Sequence, residues 1–174
     1  MSTHEQSQNR LDRVSEYHVI MGLPGAGKST YAEHQIVPDK TPVILTLEAY
    51  AEDAEDRPRM TTKSWVDFYA DLSEVLSGDD IVVIDGNNLH SGSRRQALLV
   101  AKEMGAQHTR LHVLCTTPRM CVQRARRAGV EMDGRILRKN IDKFFLSLAL
   151  IADEPWDEVT FIPASSNAAT DDAE

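Results

Sequence analysis

Residues 22–30, Gly-Leu-Pro-Gly-Ala-Gly-Lys-Ser-Thr, constrain what this chain can fold into more than any other stretch. They spell G-x-x-x-x-G-K-S between an apolar, strand-like run at 17–21 and a helix expected to start at Lys28. Glycines at these positions let successive backbone N–H groups turn inward around a phosphate with no Cβ in the way. The lysine then reaches the terminal phosphates and the serine hydroxyl meets Mg²⁺. A Gly/Pro-rich turn is the bland alternative, but all eight positions match in a strand-to-helix context. The residues expected to hold a nucleotide, ATP with Mg²⁺, are therefore Gly22, Pro24, Gly25, Ala26, Gly27, Lys28, Ser29 and Thr30, joined by Arg124 from the arginine-rich segment further on.

At 174 residues the chain is long enough for one domain with its own core, without disulfides or a structural metal. Cys115 and Cys121 fit no zinc spacing and are expected to be reduced core or helix residues. No stretch has the length and apolarity of a membrane span or a signal peptide, so a cytoplasmic location is expected. The net charge of −8 lies partly in the ends, yet the body is still acidic. That excludes a general polyanion binder working by broad counterion release, and leaves room for a local basic patch.

Polar residues 1–16 and 164–174 are expected to be flexible extensions around a domain at 17–163. Within it, apolar runs at 17–21, 42–46, 81–85, 111–115 and 159–162 predict five strands. Helices are expected at 28–36, at 65–76 with Trp65, Phe68, Tyr69 and Leu72 inward, and at 94–104 with Leu98, Leu99 and Ala101 inward. The fold class is α/β: a five-stranded, mainly parallel sheet with helices on both faces. Residues 47–63 are charged and are expected to be a solvated loop or helix edge, placed where loops leaving parallel strands line a binding crevice.

Four apolar residues run into Asp85, a pattern that puts a carboxylate at a strand end where it can meet Mg²⁺ beside Ser29. A second informative region, 118–150, carries Arg119, Arg124, Arg126 and Arg127 on one helical segment and Arg135, Arg138, Lys139 and Lys143 on the next. Arg124 and Arg127 are three apart and so share a face. A solvated basic face is the plain reading. A helical lid whose guanidinium groups offset the charge of a transferring phosphoryl group is the functional one, favoured because these cations cluster in an acidic body.

Together, residues 22–30, the Asp85-Gly86-Asn87-Asn88-Leu89 stretch followed by Arg94-Arg95, Glu103-Met104-Gly105 and the Arg124/Arg127 pair resemble the kinase domain of phage-type polynucleotide kinases and their small P-loop kinase relatives, over about residues 17–162. The resemblance implies a P-loop NTPase fold and an acid shortly after the second strand that takes the acceptor's proton. That acid is Glu48, where the family has Asp. It also implies an arginine three residues on that holds a phosphate of the nucleic acid; Ala51 stands there instead, with Arg57, Arg59 or Lys63 as substitutes.

The expected function is thus ATP-dependent phosphorylation of a hydroxyl on a nucleic acid, DNA ahead of RNA, with a 5′ end as the leading acceptor. Lys28, Glu48, Asp85, Arg124 and Arg127 are the expected catalytic residues, and Ser29 and Asp85 the metal ligands. The alternatives are kinases of hydroxymethyl groups on modified bases, small-molecule or nucleoside kinases, and an ATP-hydrolysing switch. Asp53 is the reserve candidate for the base.

Overall fold

The structure is a computed structural model describing residues 15–34, 36, 41–54, 57–78 and 81–164. The expected terminal extensions lie almost wholly outside these residues. Five strands form one sheet: β1 (Glu16–Met21), β2 (Val43–Thr46), β5 (Ile81–Asp85), β6 (His108–Cys115) and β7 (Glu158–Pro163). Their spatial order is β2-β5-β1-β6-β7 and every pairing is parallel, where the sequence predicts a mainly parallel sheet. Apolar runs with no polar alternation suit strands covered on both sides. β1 and β5 accordingly bury nearly every residue, while the edge strand β2 is only half-buried.

Alternation assigns the two faces. Tyr17 and Val19 share a cavity with Phe68 and Ala97, so helices α2 (Thr62–Ser77) and α3 (Ser91–Glu103) cover that side. His18 and His112 point the other way, where Tyr31 of α1 (Lys28–His34) packs on His112 with ring centroids 5.6 Å apart. Helices α4 (Pro118–Arg127) and α5 (Gly134–Leu150) follow β6. α2, α4 and α5 each begin at a side chain that accepts a hydrogen bond from a first-turn N–H: Thr61, Thr117 and Asp133. No helix among the described residues is long and apolar enough to cross a membrane.

Three expectations are corrected. Residues 47–63 are not an open loop: a 3₁₀ turn (Leu47–Tyr50) leads into a small antiparallel hairpin of β3 (Glu52–Ala54) and β4 (Arg57–Arg59). Leu99 is 50% exposed, because the inward stripe of α3 is Arg94, Ala97, Leu98 and Ala101. Cys115 is exposed, and only Cys121 is a buried thiol.

Beneath the sheet's α1 face lies a buried polar chain. Glu16 Oε2 meets His18 Nε2 at 3.1 Å, His18 Nδ1 meets His112 Nε2 at 2.9 Å, and His112 Nδ1 meets the Tyr31 hydroxyl at 3.1 Å. The chain is satisfied with both imidazoles neutral. Burial lowers both, taking His112 to about 4, with the neighbouring His18 and Arg110 lowering it further; Glu16 partly opposes the effect on His18. Because the folded values lie below the ordinary 6.5, the unfolded chain takes up these protons first. Stability is therefore complete above pH 6.5 and falls between pH 6.5 and about 4. Urea unfolding at pH 7 and pH 5 is expected to differ by about 1–3 kcal/mol, with His112→Asn removing much of the difference.

Candidate nucleotide and phosphoryl-transfer site

The carboxyl ends of β1, β2 and β5 gather the candidate residues at one edge of the sheet. β2 and β5 pair so that Thr46 lies beside Asp85, which puts Glu48 and Asp85 at the same end as the glycine loop leaving β1. Outward loops at this end line the crevice of an open parallel sheet.

Within the loop, Gly25 and Gly27 have φ of +77° and +92°, conformations that favour glycine. A Cβ at Gly25 would sit 2.7 Å from the Cys121 carbonyl oxygen, so α4 presses against the loop at a distance only glycine permits. The Ala26 carbonyl accepts from Thr116 Oγ1 (3.0 Å) and from Arg124 Nη1 (2.8 Å). Fixing that carbonyl toward α4 orients the loop backbone from outside.

Lys28 is buried, and its Nζ donates to the Leu23 carbonyl at 2.9 Å and to Asn87 Oδ1 at 2.8 Å. Burial lowers its pKa, while the charges of Asp85 and Glu48 act in the opposite sense, so both carboxylates lie within electrostatic reach of the ammonium. Ser29 Oγ donates to Asp85 Oδ2 at 2.7 Å. Glu48 is exposed on the 3₁₀ turn, and Ala51 N closes that turn on the Glu48 carbonyl.

The serine hydroxyl and the aspartate carboxylate form an all-oxygen pair, the donor chemistry that suits Mg²⁺. No cluster of three or more His, Cys, Asp or Glu is present among the described residues. A protein that supplies only these two oxygens would leave the other ligand positions to phosphate and water, as Mg²⁺ ordinarily requires. The residues present fit the ion.

Lys28, Ser29, Asp85, Glu48 and Arg124 are thus brought to one place. Arg127, with Arg119, Arg126 and Leu137, lines a groove of about 520 Å³ beside α4 and α5. Of the substitutes for an arginine at position 51, Arg59 is exposed, Lys63 is paired with Asp67 at 2.7 Å, and the Arg57 side chain lies outside the described ones, as does that of Asp53. Two residues emerge beyond those expected. Asn87 holds Lys28 and passes its carbonyl to Gly22 N (3.2 Å). Asn88, at φ 49°, donates to the carbonyls of Ile20 (2.7 Å) and Gly86 (3.2 Å), clamping β1 to β5. Asparagine tolerates the left-handed region better than most residues. Their position just after the strand-end acid was the available signal.

A family model described as an AAA domain matches residues 18–143. The chain belongs to that family. Among curated proteins none matches this AAA-domain chain. Solved structures do. A gluconokinase from Sinorhizobium meliloti 1021 is 17% identical with a TM-score of 0.61, over 88% of this chain and 85% of that one. A chain of the Pnkp1/Rnl/Hen1 RNA repair complex gives 16% and 0.63, over 82% of this chain and 48% of that one. Kti12 from Chaetomium thermophilum, solved with ADP-AlF3, gives 18% and 0.56, over 88% and 92%. At such identities the likeness speaks to the fold, which is that of the P-loop NTPases and small kinases, an architecture that implies nucleotide binding.

Proposed function

We propose that the chain is an ATP-dependent kinase acting on a hydroxyl, with a nucleic acid as the acceptor. The observation that carries this reading is the placement of Glu48: a carboxylate on the turn leaving β2, within electrostatic reach of Lys28 and on the same sheet edge as the Ser29–Asp85 pair. In the proposed reaction the acceptor O–H attacks the γ-phosphorus in line and its proton passes to Glu48. The bond from that phosphorus to the bridging oxygen breaks, and ADP leaves with the phosphorylated alcohol as co-product. A loose transition state asks little of the base beyond orientation, so an exposed carboxylate of ordinary reach suffices. Lys28 and the loop amides would offset charge on the phosphates. Mg²⁺, held by Ser29 and Asp85, would supply further neutralisation when bound.

The nucleic-acid acceptor draws support from the RNA repair neighbour and from the Arg119, Arg126 and Arg127 groove, a local basic feature on an acidic protein. A small-molecule acceptor is the second reading, favoured by the similar gluconokinase. The test is transfer from γ-labelled ATP to a 5′-hydroxyl oligonucleotide, DNA bearing hydroxymethyl pyrimidines, free nucleosides, gluconate and water. Label is expected on an alcohol. Label found only as inorganic phosphate would sink the kinase reading. Glu48→Gln is expected to lower turnover by about 10²–10⁴-fold while ATP binding is kept. Near-normal turnover in that variant would show that Glu48 is not the base.

A further inference from the structure

Helix α4 divides its arginines between two faces. On the inner one Cys121 lies against the glycine loop, and Arg124 Nη1 donates to the Ala26 carbonyl at 2.8 Å. Helical spacing puts residues 119, 122, 123 and 126 on the opposite face, where they form the groove shared with the start of α5. Arg119, Arg126 and Arg127 line it, above a floor of Pro118, Val122 and Leu137, with the Gln123 amide beside them. All three arginines are exposed. Among the described residues no acid lines the groove, and none of the three guanidinium groups has a hydrogen bond or an ion pair.

A solvated face whose cations suit the helix accounts for Arg126 and Arg127, which stand in the last turn, where the helix dipole favours positive charge. It does not account for Arg119. That residue directly follows Pro118 in the first turn of α4, the end at which the dipole opposes a cation. The helix gains nothing from this charge, so its use lies with a ligand. Arg119 and Arg126 are seven residues apart and lie about 10 Å from one another along the axis. A stacked strand carries one phosphate per about 3.4 Å, so the row of cations matches about three phosphates. Guanidinium forks suit phosphate oxygens, and the apolar floor suits the sugars between them.

We propose that this groove is a strand-binding site, which grips about three consecutive phosphates of a single-stranded nucleic acid a few nucleotides from its phosphorylated end. One row of phosphates finds cations here, whereas the second row of a duplex would meet a protein of net charge −8. α4 leaves the carboxyl end of β6, which runs parallel to β1 with Val113 beside Met21. The Arg119 end of the groove therefore stands at the same sheet edge as the glycine loop. From the loop a strand must pass a helix about 10 Å across and then follow the groove for about 10 Å more. At about 3.4 Å per nucleotide, occupying both places takes about six nucleotides. That the strand's end reaches the loop rests on the kinase reading; that the groove grips the strand does not.

The experiment follows the anisotropy of 3′-labelled, 5′-hydroxyl oligonucleotides of about three and about twelve nucleotides with the full-length protein, without ATP, across a range of salt. The longer strand is expected to bind more tightly, and the logarithm of its affinity to fall against that of salt with a slope of about −2, from about 0.7 for each of three phosphates. Arg119→Gln and Arg126→Gln are each expected to weaken it by about tenfold at low salt and to take about 0.7 off the slope. Arg119→Gln is also expected not to lower the urea midpoint, a split that damage to the fold would not produce. Arg95→Gln, which removes an exposed arginine of α3 outside the groove, is expected to leave the slope as it is. No saturable binding of the longer strand, equal binding of a blunt duplex or of polyglutamate, or a slope untouched in both groove variants would each overturn the proposal. Strand binding of this kind in a protein that passes label only to water would sink the kinase reading and leave the groove standing. Label transferred to both lengths equally, with the slope untouched in both variants, would do the reverse.

Discussion

Lys28→Ala is expected to abolish phosphoryl transfer, with a loss of at least about 10²–10³-fold in turnover, the cost of removing one preorganised charge-stabilising group from a reacting centre. The reason lies in how the ammonium is stored. It is buried against the Leu23 carbonyl and Asn87 Oδ1, two neutral oxygens at 2.9 and 2.8 Å, and burial depresses its pKa. An ammonium held by neutral partners gains by exchanging them for phosphate oxygens, so the site is poised for an anion. The same reasoning limits the effect on the free fold. Alanine forfeits two hydrogen bonds of about 1 kcal/mol each but also relieves a desolvated charge, so unfolding in the absence of nucleotide is expected to shift by no more than about 1–2 kcal/mol. Label transfer and urea unfolding on the same preparation check both halves. A variant that transfers normally, or one that fails to fold, contradicts the assignment of Lys28 to phosphate charge.

What was legible in the sequence were the features whose signal is local. The glycine loop, the apolar strands and the acid closing β5 each announce themselves within a few residues, because parallel strands buried on both faces need unbroken apolar runs and a phosphate loop needs glycine at fixed steps. The β3–β4 hairpin escaped because each strand is three residues long and charged, with no alternation to read. Leu99 was misplaced for a different reason: the stripe of α3 that faces inward is completed by an arginine, so an apolar pattern alone points to the wrong neighbour. His18 and His112 look like ordinary strand residues, and only the register of β1 with β6 brings them together. The same limit hid Asn87, whose partner Lys28 lies 59 residues earlier.

Arg94 shows that limit most fully and carries the largest expected effect on stability. In sequence it belongs to an Arg-Arg pair after the strand-end acid, one of the stretches that carry the family resemblance. In the fold it is buried, its Nε bonded to Glu154 Oε2 at 3.0 Å, its Nη2 to Glu154 Oε1, and its Nη1 to Ser147 Oγ at 2.6 Å and to the Asn88 carbonyl. Glu154 in turn accepts from Ser91 Oγ and Trp156 Nε1, both at 2.8 Å. Removing one member leaves the other charge buried without compensation, so Arg94→Met is expected to cost about 3–5 kcal/mol in urea unfolding, and Glu154→Leu about as much. The pair itself is worth far less than either loss, because its attraction must first offset the desolvation of two ions. Arg94→Met with Glu154→Leu is accordingly expected to recover most of the stability, giving a large coupling energy in the double-mutant cycle. Costs below about 1 kcal/mol for both single variants would refute this account. The Asn88 carbonyl links the network to the segment whose Asn87 holds Lys28, so a folded Arg94→Met protein, and the double variant with it, is also expected to bind ATP more weakly than the unsubstituted protein. That second measurement separates a network that merely stabilises the core from one that also sets the position of the lysine.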